Sequence, residues 1–295
     1  MSEFIPFSIE HKELYSQYIS KTPSNSSGYS FGNIFMWESY CRRSLAVRSE
    51  CLCIEYDCRS GVFYSIPGKG GDLAGAVDSL SQTAADRGIS LMLRGITAAD
   101  REELERVCPG RFCFTPDRDN YDYIYSIDSM ASLAGKKLHG KRNHCNKFQA
   151  TYSWEFQPLR PERFDDCLSV HKAWSHSRDG GSADENFAIA RAFEHWDALG
   201  FEGGVLYANG QPVAFTVGEQ ISDDTVDIHF EKALDTIPGA YPMVAREFAR
   251  QLNADHPQLR YLNREEDMGI ENLRKANESW YPLYLLEKFV AMENA

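Results

Sequence analysis

An order of helical and strand-like segments that occurs twice limits the folds open to this chain more than any other feature of its sequence. Each half reads as two helices, three strands, a helix, a strand, a helix and a strand. In the second half, Asn209-Gly210 separates the first two strands, and this dipeptide is typical of a tight turn between antiparallel strands. The order therefore predicts an α+β fold, with a mixed, mostly antiparallel sheet flanked by helices in each half.

The length and the charge of the chain add two constraints. Its 295 residues, 43% of them hydrophobic, suffice for two domains, which we place at residues 1–127 and 128–295. The net charge is −12, from 43 acidic and 31 basic side chains. Because such a surface is poorly suited to nucleic acid or anionic lipid, any polyanion must bind at a local basic patch.

The lack of a recognisable targeting signal and the pattern of the cysteines indicate an intracellular protein. The sequence contains no run of about eighteen apolar residues, and its N-terminus lacks a basic region followed by an apolar one. We therefore expect a cytoplasmic protein with no transmembrane segment. Its eight cysteines include no Cys-x-x-Cys pair. They predict reduced thiols in the core and no metal site.

The stretch LAGKKLHGKRNHCNKF, residues 133–148, carries five Lys/Arg and two His in sixteen residues. It is predicted to form a helix from Lys136 to Phe148. One arc of about 140° on that helix contains Lys136, Lys137, Lys141, His144 and Lys147. Arg142 lies beyond a narrow apolar stripe. Two interpretations remain open, a surface for an anionic ligand and a basic outer face neutralised by the carboxylates of the chain.

A second candidate site lies in the strand TVDIHFE and the turn after it. On a strand, Asp227, His229 and Glu231 share one face, and in water-poor surroundings such neighbours shift each other's pKa as a general acid or base requires. Gly239 and Tyr241 then begin a helix, whose free N–H groups could hold a phosphate or an oxyanion. The alternatives are an inert exposed strand face and an ordinary helix start.

The third candidate, YLNREEDMGIENLRKANESWYP, follows a strand that ends at Asn263. Its charged residues before and within the next predicted helix include Arg264, Glu265, Glu266, Asp267, Arg274 and Lys275. The helix is predicted to begin near Gly269, with Asp267 as its N-cap. One of the acidic residues could act as a base, although a helix cap and a charged surface explain the same pattern.

Together, the three segments resemble the catalytic domain of bacterial phosphatidylglycerol lysyltransferases, and the resemblance covers nearly the whole chain. Members of that family contain paired GNAT-like domains, similar in design to the Fem-type peptidoglycan aminoacyl transferases. The element order of each half also matches the GNAT acyltransferase fold. The resemblance implies two tandem GNAT-like domains that transfer an acyl group, typically aminoacyl from a charged tRNA to a lipid hydroxyl, in a cleft between the halves.

The resemblance also implies a set of site residues in the second half. The candidates for catalysis are His229, Glu231 and Glu265. The candidates for binding substrate or phosphate are Lys136, Lys137, Lys141, Arg142, Asn143, Asn146, Gly239, Tyr241, Asn263, Arg264, Arg274 and Lys275. The implied partners are an anionic donor, which is the acceptor end of a tRNA or coenzyme A, and a lipid contacted peripherally. No cofactor beyond the donor is implied, and we expect the first half to be structural.

Two departures from the family pattern leave alternatives open. The membrane-embedded lysyltransferases carry a long transmembrane region before this domain, whereas this sequence shows none, which favours a soluble acceptor or a lipid reached peripherally. Acetyl-CoA-dependent GNAT enzymes have a Q/R-x-x-G-x-G/A loop, whereas TIPGAYP has one glycine and two prolines, which lack N–H donors. The alternatives are an acyl-CoA-dependent N-acyltransferase of a small molecule and a non-catalytic GNAT-like binding protein.

Overall fold

The computed structural model of the chain describes residues 3–177 and 182–294, whose strands form two mixed sheets of seven strands each. The strands are β1 Ile5–Pro6, β2 Cys41–Arg48, β3 Cys51–Cys58, β4 Gly61–Gly68, β5 Met92–Thr97, β6 Phe112–Pro116, β7 Asp122–Ser126, β8 Trp154–Pro158, β9 Glu202–Ala208, β10 Gln211–Gln220, β11 Thr225–Ala233, β12 Tyr261–Asn263, β13 Tyr284–Leu286 and β14 Lys288–Glu293. The helices are α1 Lys12–Ile19, α2 Phe31–Met36, α3 Leu73–Asp86, α4 Ala98–Val107, α5 Ile127–Ser132, α6 His139–Thr151, α7 Phe164–His176, α8 Ala183–Glu194, α9 Trp196–Leu199, α10 Ala240–Asp255 and α11 Glu271–Glu278. The predicted α+β composition is confirmed.

The chain divides into two compact units, and each is made of more than one segment. The first contains Met1–Asp122, Glu266–Ile270 and Leu285–Ala295, and the second contains Tyr123–Glu265 and Glu271–Tyr284. The last strand, β14, lies in the first sheet between β5 and β6, and β7 lies in the second sheet between β13 and β12. The chain thus exchanges strands between its halves, which a single boundary after residue 127 does not describe.

In the first unit, the sheet order is β1-β2-β3-β4-β5-β14-β6, and α3 packs its apolar stripe into the core. Leu73, Val77, Leu80 and Ala84 are buried at the spacing of one helix face, as the sequence predicted. A buried ion pair ties β14 to the start of β7, because Lys288 Nζ lies 2.6 Å from Asp122 Oδ1. Ser27 donates to the same carboxylate through its backbone N–H and its hydroxyl.

In the second unit, the sheet order is β13-β7-β12-β11-β10-β9-β8. The helix α10 connects β11 to β12, the parallel pair of this sheet. Their register covers three residue pairs, which are Thr225–Tyr261, Val226–Leu262 and Asp227–Asn263. On the other side of β11, the register against β10 shifts between Val217 and Gly218, which pair with Phe230 and Ile228 and so leave His229 as the extra residue of a bulge.

The basic segment forms a helix that begins later than predicted. α6 starts at His139, so Lys136 and Lys137 lie in the turn before it and not on its wheel. Arg142 explains part of this start, because its guanidinium donates to the carbonyl oxygens of Leu133 and Gly135. These carbonyls follow α5, a short helix that the sequence pattern did not predict.

The cysteines correct the expectation of reduced thiols throughout. Cys41 and Cys58 form a disulfide between β2 and β3. They become partners because the antiparallel register of these strands places them directly opposite each other, which spacing in the sequence does not show. The other six cysteines are free, and all of them except the exposed Cys113 are buried.

The substitution Lys288→Ala should strongly destabilise the first unit. Lys288→Ala takes the positive charge away from a carboxylate that is fully buried, and such losses cost about 3–5 kcal/mol. Arg42→Ala is the matched control, because it removes an exposed ion pair with Asp57 that contributes about 0–1 kcal/mol. Urea unfolding followed by circular dichroism measures both, and equal losses would contradict the burial of the Lys288 pair.

Candidate functional site

The candidate site lies where β11 and β12 stop pairing, and its first part is a histidine among carboxylates. His229 on β11 has a fully buried side chain. Its Nε2 lies 3.3 Å from Glu219 Oε2 on β10, and its Nδ1 lies 3.1 Å from Glu265 Oε1, two residues after β12. Asp227 is on the same side, at 3.7 Å from Nδ1. The predicted grouping of Asp227 with His229 on one strand face therefore places them in an ion cluster.

The carboxylates decide the charge of His229. Burial alone would lower its pKa, but hydrogen bonds with Glu219 and Glu265 and the negative charge of Asp227 raise the pKa to about 10. The ring is therefore an imidazolium at neutral pH, and both of its N–H groups donate to carboxylates. An imidazolium has no lone pair for a proton, so this geometry does not favour His229 as a general base.

The same residues have the spacing of a metal centre. Asp227, His229 and Glu265 each offer one ligand atom, and these atoms lie within 4.8 Å of one another. A metal ion would need the lone pair of a ring nitrogen, which the proton of the imidazolium occupies. Metal binding would displace this proton, so the three residues can form an ion cluster around a protonated ring or a metal centre around a neutral one.

The second part of the site is a carboxylate among cations. Glu231, two residues further along β11, lies 2.7 Å from Arg264 Nη2, directly after β12. Burial raises the pKa of Glu231, while the charges of Arg264, Lys141 and Lys232 oppose that rise. Burial and the charge of Arg264 lower the pKa of Lys141 to about 8, against the attraction of Glu231. Glu231 is thus a buried carboxylate inside a positive environment.

Aromatic rings support these cations. Lys141 Nζ lies 4.5 Å from the ring centroid of Trp280 and donates to Ser279 Oγ at 2.7 Å. The guanidinium of Arg264 lies 5.5 Å from the same ring. Next to it, Tyr281 is 51% exposed, and Lys137 Nζ lies 5.5 Å from its centroid. Each of the two adjacent rings thus carries at least one cation, and one ring faces solvent.

Two residues of the site have a strained backbone conformation. Glu265 and Tyr281 are not glycines, yet both have φ of 55°, in the left-handed region that side chains disfavour. Residues held in such conformations occur often at functional sites, where the surrounding structure fixes them. This strain places Glu265 against His229 and leaves Tyr281 exposed beside Lys137.

Several predicted site residues have structural partners instead. Gly239 has φ of +90°, and a side chain there would lie 2.7 Å from the carbonyl oxygen of His144, so it allows α10 to approach α6 closely. Asn263 Oδ1 accepts from the N–H of Glu265 and shapes the strained turn. Tyr241 Oη accepts from Trp174 Nε1–H at 2.7 Å.

The remaining predicted residues lie on helix surfaces, in the turn before α6 or in the first unit. Asn143 contacts His139, Asn146 and Lys136 are exposed, and Lys275 pairs with Glu271 one turn away on α11. Arg274 is half-buried on α11. Asp267 does not cap α11, which begins at Glu271, because its buried carboxylate pairs with Arg118 and accepts from the N–H of Gly269. Their roles in substrate binding stay predictions.

Sequence reasoning missed Glu219, Trp174 and Trp280 as members of the site. Glu219 is the one charged residue of β10, which was a usable signal. The two tryptophans are separated by about a hundred positions, and no local pattern connects either of them with the lysine that it supports.

Comparisons with solved structures confirm the fold. A tandem GNAT protein from the clavulanic acid biosynthesis pathway aligns over 99% of both chains with a TM-score of 0.54 at 10% identity. FemX aligns over 98% of this chain and 97% of its own, with a TM-score of 0.58 at 8% identity. At such identities the likeness shows the fold alone, and it confirms two tandem GNAT-like domains.

The family model described as phosphatidylglycerol lysyltransferase, C-terminal, matches residues 20–292, and the chain belongs to this family. L-PGS from Bacillus licheniformis has a TM-score of 0.64 at 14% identity, over 96% of this chain and 91% of that one. A conserved protein of unknown function from Bacteroides thetaiotaomicron is 34% identical over the full length of both chains, with a TM-score of 0.94.

A curated relative matches only in part. An uncharacterized protein of Mycoplasmoides gallisepticum is 23% identical over 174 residues, and the match spans about half the length of that relative, 55%, and 57% of this chain. Among the helices of residues 3–177 and 182–294, none has the length and apolar composition needed to cross a membrane.

The stability that His229 contributes should fall as pH rises. Because folding raises its pKa from the ordinary 6.5 to about 10, the contribution is complete below about pH 6.5 and is lost as pH rises toward 10. We expect the difference in unfolding free energy between the native chain and His229→Gln to shrink from pH 6 to pH 9.5. Urea titrations at several pH values measure it, and a difference that grows with pH would contradict the imidazolium.

Proposed function

We propose that this chain is an aminoacyl transferase that takes its acyl group from an aminoacyl-tRNA and passes it to a hydroxyl or amine acceptor. The observation that carries the proposal is Glu231, a buried carboxylate held by Arg264 within a group of cations and aromatic rings. Membership of the phosphatidylglycerol lysyltransferase C-terminal family supports the same class of reaction.

The donor is bound by the rings and cations beside Glu231. Exposed aromatic rings next to basic side chains bind single-stranded nucleic acid, because bases stack on the rings while the cations contact phosphates. Tyr281 and Lys137 provide such a pair on the surface, and Lys141 lies closer to Glu231. A protein of net charge −12 can bind a polyanion only at a local patch of this kind.

The chemical step needs a base and a positive charge near the reacting carbonyl group. The acceptor hydroxyl or amine attacks the ester carbonyl carbon of the donor, while the Glu231 carboxylate takes the proton of the attacking group. Lys141 and Arg264 stabilise the negative charge that develops on the carbonyl oxygen. When the tetrahedral intermediate collapses, the ester C–O bond breaks, and the proton passes to the leaving oxygen of the terminal ribose.

The family name suggests which acceptor and which amino acid to test first. A lipid hydroxyl, as in phosphatidylglycerol, and a lysyl group are the first pair to test, with other aminoacyl-tRNAs and soluble polyols beside them. The acyl-CoA-dependent alternative is tested in parallel with CoA thioesters, both as donors and as ligands in thermal-shift measurements.

Glu231→Gln should nearly abolish transfer while the fold is kept. The amide keeps the size of the side chain but cannot take a proton, so we expect a loss of about 10²- to 10⁴-fold in kcat with radiolabelled aminoacyl-tRNA. Lys172→Ala, which removes an exposed lysine of α7, is the control and should leave the rate unchanged. Full activity of Glu231→Gln would exclude it as the base, and transfer from CoA thioesters alone would overturn the donor.

The pH profile should report on Lys141. Since its pKa is lowered to about 8, the side chain loses its charge as pH rises through 8, and we expect transfer to decline over that range. Arginine stays charged at these pH values, so Lys141→Arg should move the decline to higher pH even if its rate is lower. Spontaneous donor hydrolysis is subtracted at each pH. If the transfer rate of Lys141→Arg falls at the same pH as that of the native chain, the fall is caused by titration of another group.

A further inference from the structure

A second polar region lies on the buried face of α7, apart from the Glu231 group. His171 and Ser175 are 5% and 6% exposed, and their i, i+4 spacing places them one turn apart on the same helix face. The helix packs against β10 and β11, the strands that carry the ion clusters. Polar side chains at such depth normally have hydrogen-bond partners.

The contact of His171 with α8 fixes which ring nitrogen carries the proton. Nε2 lies 2.6 Å from Asn186 Oδ1, and an amide oxygen only accepts, so Nε2–H is the donor. In the neutral ring, Nδ1 is then an acceptor that faces inward. None of the described residues hydrogen-bonds to Nδ1 or to the hydroxyl of Ser175. The two atoms therefore offer a matched acceptor and hydroxyl to a ligand.

Trp174 and Lys232 connect this polar region of α7 with β11. The ring of Trp174 lies 6.2 Å from His171, and Lys232 Nζ lies 3.7 Å from the Trp174 ring centroid. Lys232 follows Glu231 in the chain and pairs with Glu185 at 2.6 Å. Trp174, Lys232 and Tyr241 are half-buried, whereas His171 and Ser175 lie deeper.

We propose that His171 and Ser175 form a subsite for a hydroxyl group of the acceptor, which donates to His171 Nδ1 and accepts from the Ser175 hydroxyl. A neutral hydroxyl suits both atoms, because it can donate to Nδ1 and accept from Ser175, whereas an ammonium group would bring a charge into this buried position. The identification of the ligand as the acceptor rests on the proposed function, but the hydroxyl subsite itself does not.

The subsite is tested with glycerol as the probe and the full chain labelled with ¹⁵N-histidine. We expect the His171 ring to show the Nε2–H tautomer, and its Nδ1 resonance to move saturably as glycerol is added. Ser175→Ala should weaken glycerol binding about threefold to tenfold, the effect of one lost hydrogen bond. Ser169→Ala removes an exposed serine of the same helix and should have no effect.

Three results would overturn the subsite. The first is an Nδ1–H tautomer, the second is no saturable response to glycerol, and the third is an identical response in Ser175→Ala. His171→Gln confirms the assignment of the resonance, and Ser175→Ala keeps the test decisive if the histidine variant does not fold. Glycerol binding without any transfer would contradict the transferase alone. Transfer whose acceptor KM is the same in the native chain and in Ser175→Ala would contradict the subsite alone.

Discussion

The end of backbone pairing between β11 and β12 is the constraint on which the site depends. The two parallel strands share three residue pairs and no register beyond Asp227 and Asn263. From that point, side chains span the space between the two segments: His229 meets Glu265, and Glu231 meets Arg264. Ligands of open sheets bind outside the carboxyl ends of parallel strands, where the backbone leaves such room. The end of backbone pairing between β11 and β12 therefore also creates a polar, partly buried site in which a reaction can take place.

The two ion clusters on β11 have opposite compositions, and this difference separates their roles. His229 is a cation among carboxylates, so its proton is held strongly and the ring cannot serve as a base near neutral pH. Glu231 is a carboxylate for which burial and neighbouring cations act in opposite directions. A general base must be unprotonated and yet able to gain a proton, and only such a balance provides both. The same strand thus supplies a fixed ion cluster at His229 and a candidate base at Glu231.

The sequence predicted the elements and part of the site, and the missing parts depend on where strands and helices end. Alternation along β11 correctly grouped Asp227 with His229, but it could not show that Glu219 would complete the cluster across a bulge. The sequence named Glu265 and Arg264 as candidates after the strand that ends at Asn263. It could not show that they pair with His229 and Glu231, because those pairings depend on the register between β11 and β12. The basic helix was predicted three residues too early. The disulfide was missed because it depends on cross-strand register.

Only some of the charged side chains in the basic segment can contact a ligand, because others have partners within the protein. Arg142 is used on backbone carbonyls, and Lys141 is held against Trp280 and Ser279 with a lowered pKa. The lysines at the surface are those of the turn and of the outer face of α6, in a chain whose net charge repels polyanions. Charge alone is then a small source of affinity for a tRNA end. In the proposed complex with a tRNA end, stacking on Tyr281, an exposed ring held in a strained conformation beside Lys137, would therefore supply much of the binding free energy.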